Sequence, residues 1–272
     1  FKFKKKLPIV SIMKNQELKN IDVIFTALPH GEAHLISKKI TSNSVLIDLS
    51  ADFRIDNKTI FEKWYKLPHQ ATKEQKKSIY GLSEINRSLI KKSNFIACPG
   101  CYPTSILLPL LPLVKNKLIN TNSIKADSKS GYSGAGKKTT DKKLYPNINE
   151  NISIYGVGQH RHMPEIDQEL SKSSKKKIKI SFTPHLIPTF RGILSTIYLD
   201  LPKGIKIKKV KDCLLNFYKK EKFVNVVNSK EMINTNRVLN TNNCNIAVYQ
   251  TRFDSQITVS YTHLRAHETR HD

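Results

Sequence analysis

The sequence predicts an α/β chain: a doubly wound parallel sheet over residues 1–100, then an α+β unit with a mainly antiparallel sheet over residues 101–259. Three observations carry this. Before Gly100, apolar runs of about four to eight residues alternate with helical patterns, as in a parallel sheet covered on both faces. After Gly100 the strand-like runs lengthen and alternate, which suits antiparallel pairing. Between them lies one long apolar stretch of helical length, Tyr102 to Leu118. A chain of 272 residues has room for about two such units.

Ile21 to Leu28 reads as a buried strand ending in Pro29-His30-Gly31, and Glu32 to Ile40 as the helix after it. Val45 to Leu49 is the second strand, closing in Ser50-Ala51-Asp52-Phe53. A helix-like stretch from Ile60 to Tyr65, a loop, and a short helix from Glu84 to Lys91 lead to the third strand, Asn94 to Cys98. The Tyr102 helix accepts Pro103 in its first turn, where a backbone N–H has no helical partner to lose. Further strands are expected at Ser123 to Asp127, Ile178 to Phe182, Ile193 to Leu201 and Ile246 to Phe253. Lys206 to Lys220 is amphipathic, with Ile207, Val210, Leu214, Phe217 and Tyr218 on one face and Cys213 at its border. From about Ser260 the apolar pattern stops. Residues 260–272 read as a non-native, adapter-like tail, and the opening at Phe1 reads as that of a fragment.

Composition excludes several classes. At 39% apolar and 25% charged residues the chain can bury a core and is not of disordered type. Its apolar runs, such as Ile106 to Val114, fall short of the ~20 residues that span a bilayer, and no signal peptide opens it. No membrane association is expected. Four cysteines (98, 101, 213 and 244) do not make a disulfide framework for this length, so a reducing, cytoplasmic setting is expected. Subtracting 22 acidic from 46 basic residues leaves +24. The lysines are scattered in pairs and triplets (Lys91-Lys92, Lys142-Lys143, Lys175 to Lys177, Lys208-Lys209), without a long basic block or an aromatic-interleaved motif. They read as solvated surface rather than a nucleic-acid footprint, and their field would attract small polyanions.

Four constellations could carry chemistry. Cys98-Pro99-Gly100-Cys101-Tyr102-Pro103-Thr104 joins a strand end to a helix start. Zinc would need a second cysteine pair, which is missing, and no metal site is expected. A Cys-Pro-Gly-Cys redox pair is one open reading. The other makes Cys101 a nucleophile, because a helix N-terminus favours thiolate over thiol and a thiolate can attack an acyl carbon. His160-Arg161-His162-Met163-Pro164-Glu165 is dense in groups that move protons and bind anions. In Ser128 to Lys138, glycines and lysines suit a loop whose backbone N–H groups close on an anion, though the Walker spacing is absent. His267-Glu268-Thr269-Arg270-His271 matches the zinc-protease pattern but lacks an apolar helix and a third ligand.

Taken in order, several segments resemble the N-acetyl-gamma-glutamyl-phosphate reductase family. They are Ala27 to Gly31, Asp48-Leu49-Ser50-Ala51-Asp52-Phe53-Arg54, Tyr80-Gly81-Leu82, Pro99 to Thr104, Lys129 to Gly131, Ser133 to Gly136, Gly158 to Glu165, Phe182 to Leu186, and Arg191-Gly192. The resemblance covers roughly residues 20 to 258. It implies a truncated Rossmann-like NADP-binding domain (1–100) and a catalytic, oligomerising domain (101–259), similar to glyceraldehyde-phosphate and aspartate-semialdehyde dehydrogenases. It implies Cys101 as nucleophile and His160 as acid/base. Arg161, Glu165 and Arg191 would contact the substrate; Pro29, His30, Gly31, Ser130, Gly131, Ser133 and Gly134 would contact NADP(H). The implied reaction reduces a small acyl phosphate through a thioester, in a homodimer or homotetramer. Three departures stand out. No glycine-rich dinucleotide turn precedes Ile21, so NADPH affinity is expected to be negligible in this chain. The family's closing segment is replaced by the tail. Cys98 stands where the family usually has Asn, inviting a Cys98–Cys101 disulfide on oxidation. A basic nucleic-acid-binding protein and a redox protein remain the competing readings.

Overall fold

A computed structural model describes residue 18 and residues 21–40, 43–135 and 150–263 of the chain. Its first unit runs β1 (Val23–Thr26), α1 (Ala33–Ser37), β2 (Val45–Asp48), α2 (Lys58–Tyr65), α3 (Thr72–Lys77), β3 (Ile79–Tyr80), α4 (Ser83–Ile90) and β4 (Phe95–Ala97). The strands pair in the order β1-β2-β4-β3, all parallel. Leu46, Phe53, Phe95 and Ala97 close its core with Ala33 of α1. The stretch expected as a loop after Tyr65 contains α3 and β3. Thr72–Lys77 buries only Gln75, and β3 is two residues long, so neither carries a readable apolar period. Helix α2 starts where Asn57 Oδ1 accepts the Ile60 N–H at 3.0 Å, and it stops at Lys66 in the left-handed region.

The second unit opens with α5 (Cys101–Lys115), which is buried on nearly every face although it contains Pro109 and Pro112. Such a helix holds because α6 (Met163–Ser174), α7 (Ile207–Tyr218) and the sheet strands β8 and β11 pack around it. The sheet comprises β5 (Lys125–Gly131), β6 (Ser153–Ile154), β7 (Ser181–Ile187), β8 (Ile193–Asp200), β9 (Val224–Val226), β10 (Cys244–Gln250) and β11 (Gln256–His263). Their order is β6-β7-β5-β8-β11-β10-β9, with β5–β7 and β9–β10 parallel and the other pairs antiparallel. The expected architecture is the observed one.

Several boundaries differ from the sequence reading: β7 runs Ser181–Ile187 where Ile178 to Phe182 was expected, and β10 runs Cys244–Gln250 where Ile246 to Phe253 was expected. Strand β5 runs on through Ser128–Gly131, where a loop was expected, because Ser128 and Ser130 turn inward as buried hydroxyls. Strand β11 extends to His263, past the expected end of the native pattern near Val259. Tyr261 continues the inward alternation of Ile257 and Val259 and is 1% exposed. Thr262 and His263 look polar, but β11 lies between β8 and β10, so pairing on both edges buries them. Residues 264–272, with His267, Glu268 and His271, lie outside the described residues.

One buried pair in the first unit makes stability pH-dependent. His34 and His69 lie ring to ring at 4.0 Å. His69 Nδ1 accepts the Ala71 N–H at 3.3 Å and its Nε2 donates to the Asp52 carbonyl at 2.9 Å, so the neutral ring is fully used. Burial, then the neighbouring His34, lowers His69 from 6.5 to about 4. A folded value below the unfolded one gives stability that is complete above pH 6.5 and lost as pH falls towards 4. Urea midpoints measured from pH 7 to 4 should therefore fall steeply, and less steeply in His69→Gln; equal slopes would contradict this account.

Candidate active site

Cys101 is the first residue of α5 and 8% exposed. It follows the short Cys98–Gly100 turn at the C-terminal end of β4, and Thr104 anchors the turn by donating its N–H and Oγ1 to the Gly100 carbonyl, each at 2.9 Å. Cys101 therefore sits at the N-terminal end of α5, where the first backbone N–H groups have no carbonyl of a preceding turn to bond.

Three side chains from distant segments hold this turn. Arg54 Nε donates to the Cys98 carbonyl at 2.6 Å, and its Nη2 to the Leu49 carbonyl at 2.9 Å. Glu165, from the first turn of α6, accepts the Gly100 N–H at 2.8 Å and the Tyr80 hydroxyl at 2.7 Å through Oε1. Its Oε2 faces Arg54 Nη1 at 3.8 Å. Glu165, expected to contact the substrate, is 0% exposed here, with Oε1 used by Gly100 and Tyr80. Burial pushes its carboxyl up, against the opposing pull of Arg54. Sequence reasoning gave Arg54 and Tyr80 no role. Both lay in quoted motifs, but nothing local marks an arginine as buried.

His160 and His162 both enter the site, with ring centroids 4.8 Å apart. His162 is the nearer to the nucleophile's turn: a β-carbon placed on Gly100 would lie 2.5 Å from its Nε2. His160 is enclosed by Tyr102, Tyr155 and Phe182 at 5.5, 5.6 and 5.4 Å. Its Nδ1 accepts the His162 N–H at 3.1 Å, which puts the proton of the neutral ring on Nε2. The Tyr102 and Tyr155 hydroxyls meet at 2.9 Å beside them. Arg161 turns the other way, over the ring of Tyr65 at 5.6 Å, and His30 meets the same ring at 5.1 Å. Arg161 thus reaches the β1–α1 turn of the first unit. Arg191 lies over Phe190 at 5.1 Å, in the tight β7–β8 connection beside the left-handed Gly192.

The backbone cradles expected from two glycine segments are otherwise engaged. The N–H groups of Gly131, Tyr132 and Ser133 donate to the carbonyls of Gly192, Thr189 and Phe190 at 2.9, 3.0 and 3.0 Å. A β-carbon on Gly131 would lie 2.6 Å from the Phe190 carbonyl oxygen, so this glycine serves close backbone packing rather than anion binding. Ser130 donates its Oγ to the Gly131 carbonyl. Gly134 sits half-buried at the segment's end, and Lys137 and Lys138 lie outside the described residues. After β1, the Gly31 N–H is held by both carboxylate oxygens of Asp52 at 2.9 Å, the Ala33 N–H by one of them at 3.1 Å, and Pro29 accepts the Glu32 N–H.

All four cysteines are free. Burial pushes the Cys98 thiol up to about 11 and the Cys244 thiol up to about 12, as for core thiols. Among the described residues no cluster of histidine, cysteine and carboxylate side chains could hold a metal ion, and no helix is long and apolar enough to cross a membrane.

Residues 1–93 match the family model of the semialdehyde dehydrogenase NAD-binding domain, and residues 101–262 that of the semialdehyde dehydrogenase dimerisation domain. The N-acetyl-gamma-glutamyl-phosphate reductase of Alkaliphilus metalliredigens is 44% identical over 237 residues, 87% of this chain and 68% of that protein. The Ehrlichia canis protein of the same name is 43% identical over 251 residues, 92% of this chain and 72% of that protein. A probable chloroplastic one from Arabidopsis thaliana is 42% identical over 254 residues, 93% and 63%. The chain thus spans between 63% and 72% of the length of these relatives. Among solved structures, aspartate semialdehyde dehydrogenase from Francisella tularensis superposes with a TM-score of 0.68 at 14% identity, covering 92% of this chain and 79% of that one. The enzyme from Candida albicans, solved with NADP, gives 0.58 at 15%, covering 97% and 80%. At such identities the likeness is one of fold.

Proposed function

The chain belongs to the N-acetyl-gamma-glutamyl-phosphate reductase family, and we propose that the protein it represents reduces N-acetyl-glutamyl 5-phosphate to N-acetyl-glutamate 5-semialdehyde, with release of phosphate, in arginine biosynthesis. The observation that carries this reading is a cysteine at the first position of a helix, with the His162 ring packed on the turn before it and the His160 ring beside His162. The Cys101 thiolate attacks the acyl carbon and phosphate leaves, so the acyl group rests on sulfur as a thioester. His162, against Gly100, suits removal of the thiol proton. His160, with its proton on Nε2, suits donation to the carbonyl oxygen as the thioester is reduced. Arg161 and Arg191 are the proposed anion contacts, each offering a planar fork for carboxylate or phosphate. The chain's excess of basic charge favours approach of such a substrate.

The proposed cofactor is NADP(H), which supplies the hydride when bound. The turns after β1, β2 and β4 all lie on the C-terminal edge of a parallel sheet, where dinucleotides bind, and Cys101 follows the third of them. That arrangement fits the nicotinamide end, with His30 and the Pro29–Gly31 turn to hold it and residues 130–134 as a wall. It does not fit the pyrophosphate, because the turn after β1 has one glycine and its N–H is committed to Asp52. For assembly, we propose that a second copy covers the open face of the larger sheet, where Tyr198 stands 47% exposed. We place the enzyme in a reducing compartment, since its nucleophile must stay a free thiol.

The test is phosphate- or arsenate-dependent reduction of NADP by the full-length protein with N-acetyl-glutamate 5-semialdehyde. Turnover is expected; none under any of these conditions would overturn the reading. The two histidines should separate. His160→Asn and His162→Asn should each lower turnover by about 10²–10⁴-fold, but only His162→Asn should slow alkylation of Cys101 at neutral pH. If His160→Asn slowed alkylation instead, the roles would be exchanged.

A further inference from the structure

We propose that the buried Arg54–Glu165 pair is a positioning device for Cys101, gripping its turn at both ends while the two charges cancel at the thiol. This rests on the reading of Cys101 as the nucleophile. Arg54 holds the carbonyl of Cys98 and Glu165 the amide of Gly100, so the three residues before Cys101 hang between two oppositely charged groups. The groups come from different units, Arg54 after β2 and Glu165 in α6, and they are themselves paired at 3.8 Å. Tyr80, at the end of β3, adds a third point of attachment.

A merely stabilising role explains this poorly. Arg54 is 8% and Glu165 0% exposed, and a buried ion pair gains little over well-packed apolar groups once desolvation is counted. An unbalanced carboxylate one residue from Cys101 would oppose ionisation of the thiol, whereas an unbalanced guanidinium would favour it. Together they fix the turn without tilting the thiol in either direction. Other ionisable groups near the turn or the pair are Asp48, Asp52 and Cys98 on the β2–β4 side, His30 after β1, Tyr65, Tyr80 and Glu169 beside the pair, and Tyr102 with the two histidines on the α5 side. The variants below leave all of them in place.

The experiment reads the rate of Cys101 alkylation by iodoacetamide against pH, located by mass spectrometry, in the full-length protein. Glu165→Gln keeps an acceptor for Gly100 and Tyr80 but leaves Arg54 uncompensated, so the profile should move about one unit to lower pH. The double variant Arg54→Met/Glu165→Gln should return it to the starting position. Arg54→Lys keeps the charge and loses the fork; its profile should stay, while kcat falls at least about tenfold with KM unchanged. A Glu165→Gln profile that is unmoved or moves upward overturns the proposal, as does full turnover in Arg54→Lys if Glu165→Gln does not fold. Failure of the nucleophile reading would look different: turnover would survive Cys101→Ser whatever the alkylation profiles show.

Discussion

Replacing Cys101 with serine is expected to lower turnover by on the order of 10⁴-fold or more, while Cys98→Asn leaves it within about one order of magnitude. A helix N-terminus can stabilise the thiolate of a thiol, whose ordinary value is about 8.5, but it cannot ionise a hydroxyl at working pH. Serine at position 101 would keep the size and lose the nucleophile. Cys98 contributes its backbone: its N–H donates to the Asp48 carbonyl at 2.8 Å and its carbonyl accepts from Arg54. Its own thiol, pushed up to about 11, is protonated at neutral pH. Steady-state assays of both variants decide between this reading and a Cys98–Cys101 redox pair, in which the two substitutions would be equally damaging.

Gly100→Ala should also harm catalysis, though less, and be nearly silent in stability. The backbone there, at φ −66° and ψ 159°, is open to alanine. The added methyl group, however, would lie 2.5 Å from His162 Nε2 and 2.9 Å from two ring carbons. The ring must yield by about 1 Å, and a displacement of that size at a reacting group costs about 10²-fold in rate. Thermal denaturation within a few degrees of the parent, together with such a loss of kcat, is the expected pair of results. Full activity would mean that His162 is not where the proton is handled.

Much of the site was legible because its signals are local. The run from Tyr102, with Pro103 in the first turn, marks a helix start, and a cysteine just before it must meet the helix N-terminus. Pro164 stands in the first turn of α6 in the same way, which puts the histidine cluster at a helix entrance. In the glycine segment, the amides of Gly131, Tyr132 and Ser133 are used by the β7–β8 connection, a pairing that composition alone does not show.

The amino-acid sequence alone determined the two-part α/β architecture, the family resemblance and the position of Cys101 at the start of α5. Each follows from short-range periodicity, helix-start chemistry or contiguous motifs. Tertiary structure decided the rest. It joined Glu165 to Gly100 and Tyr80 and Arg54 to Cys98, set His162 closer than His160 to the nucleophile's turn, and carried β11 on to His263. These outcomes share a physical cause: a buried polar group must find its partner wherever the fold brings one, and that partner is distant in the chain.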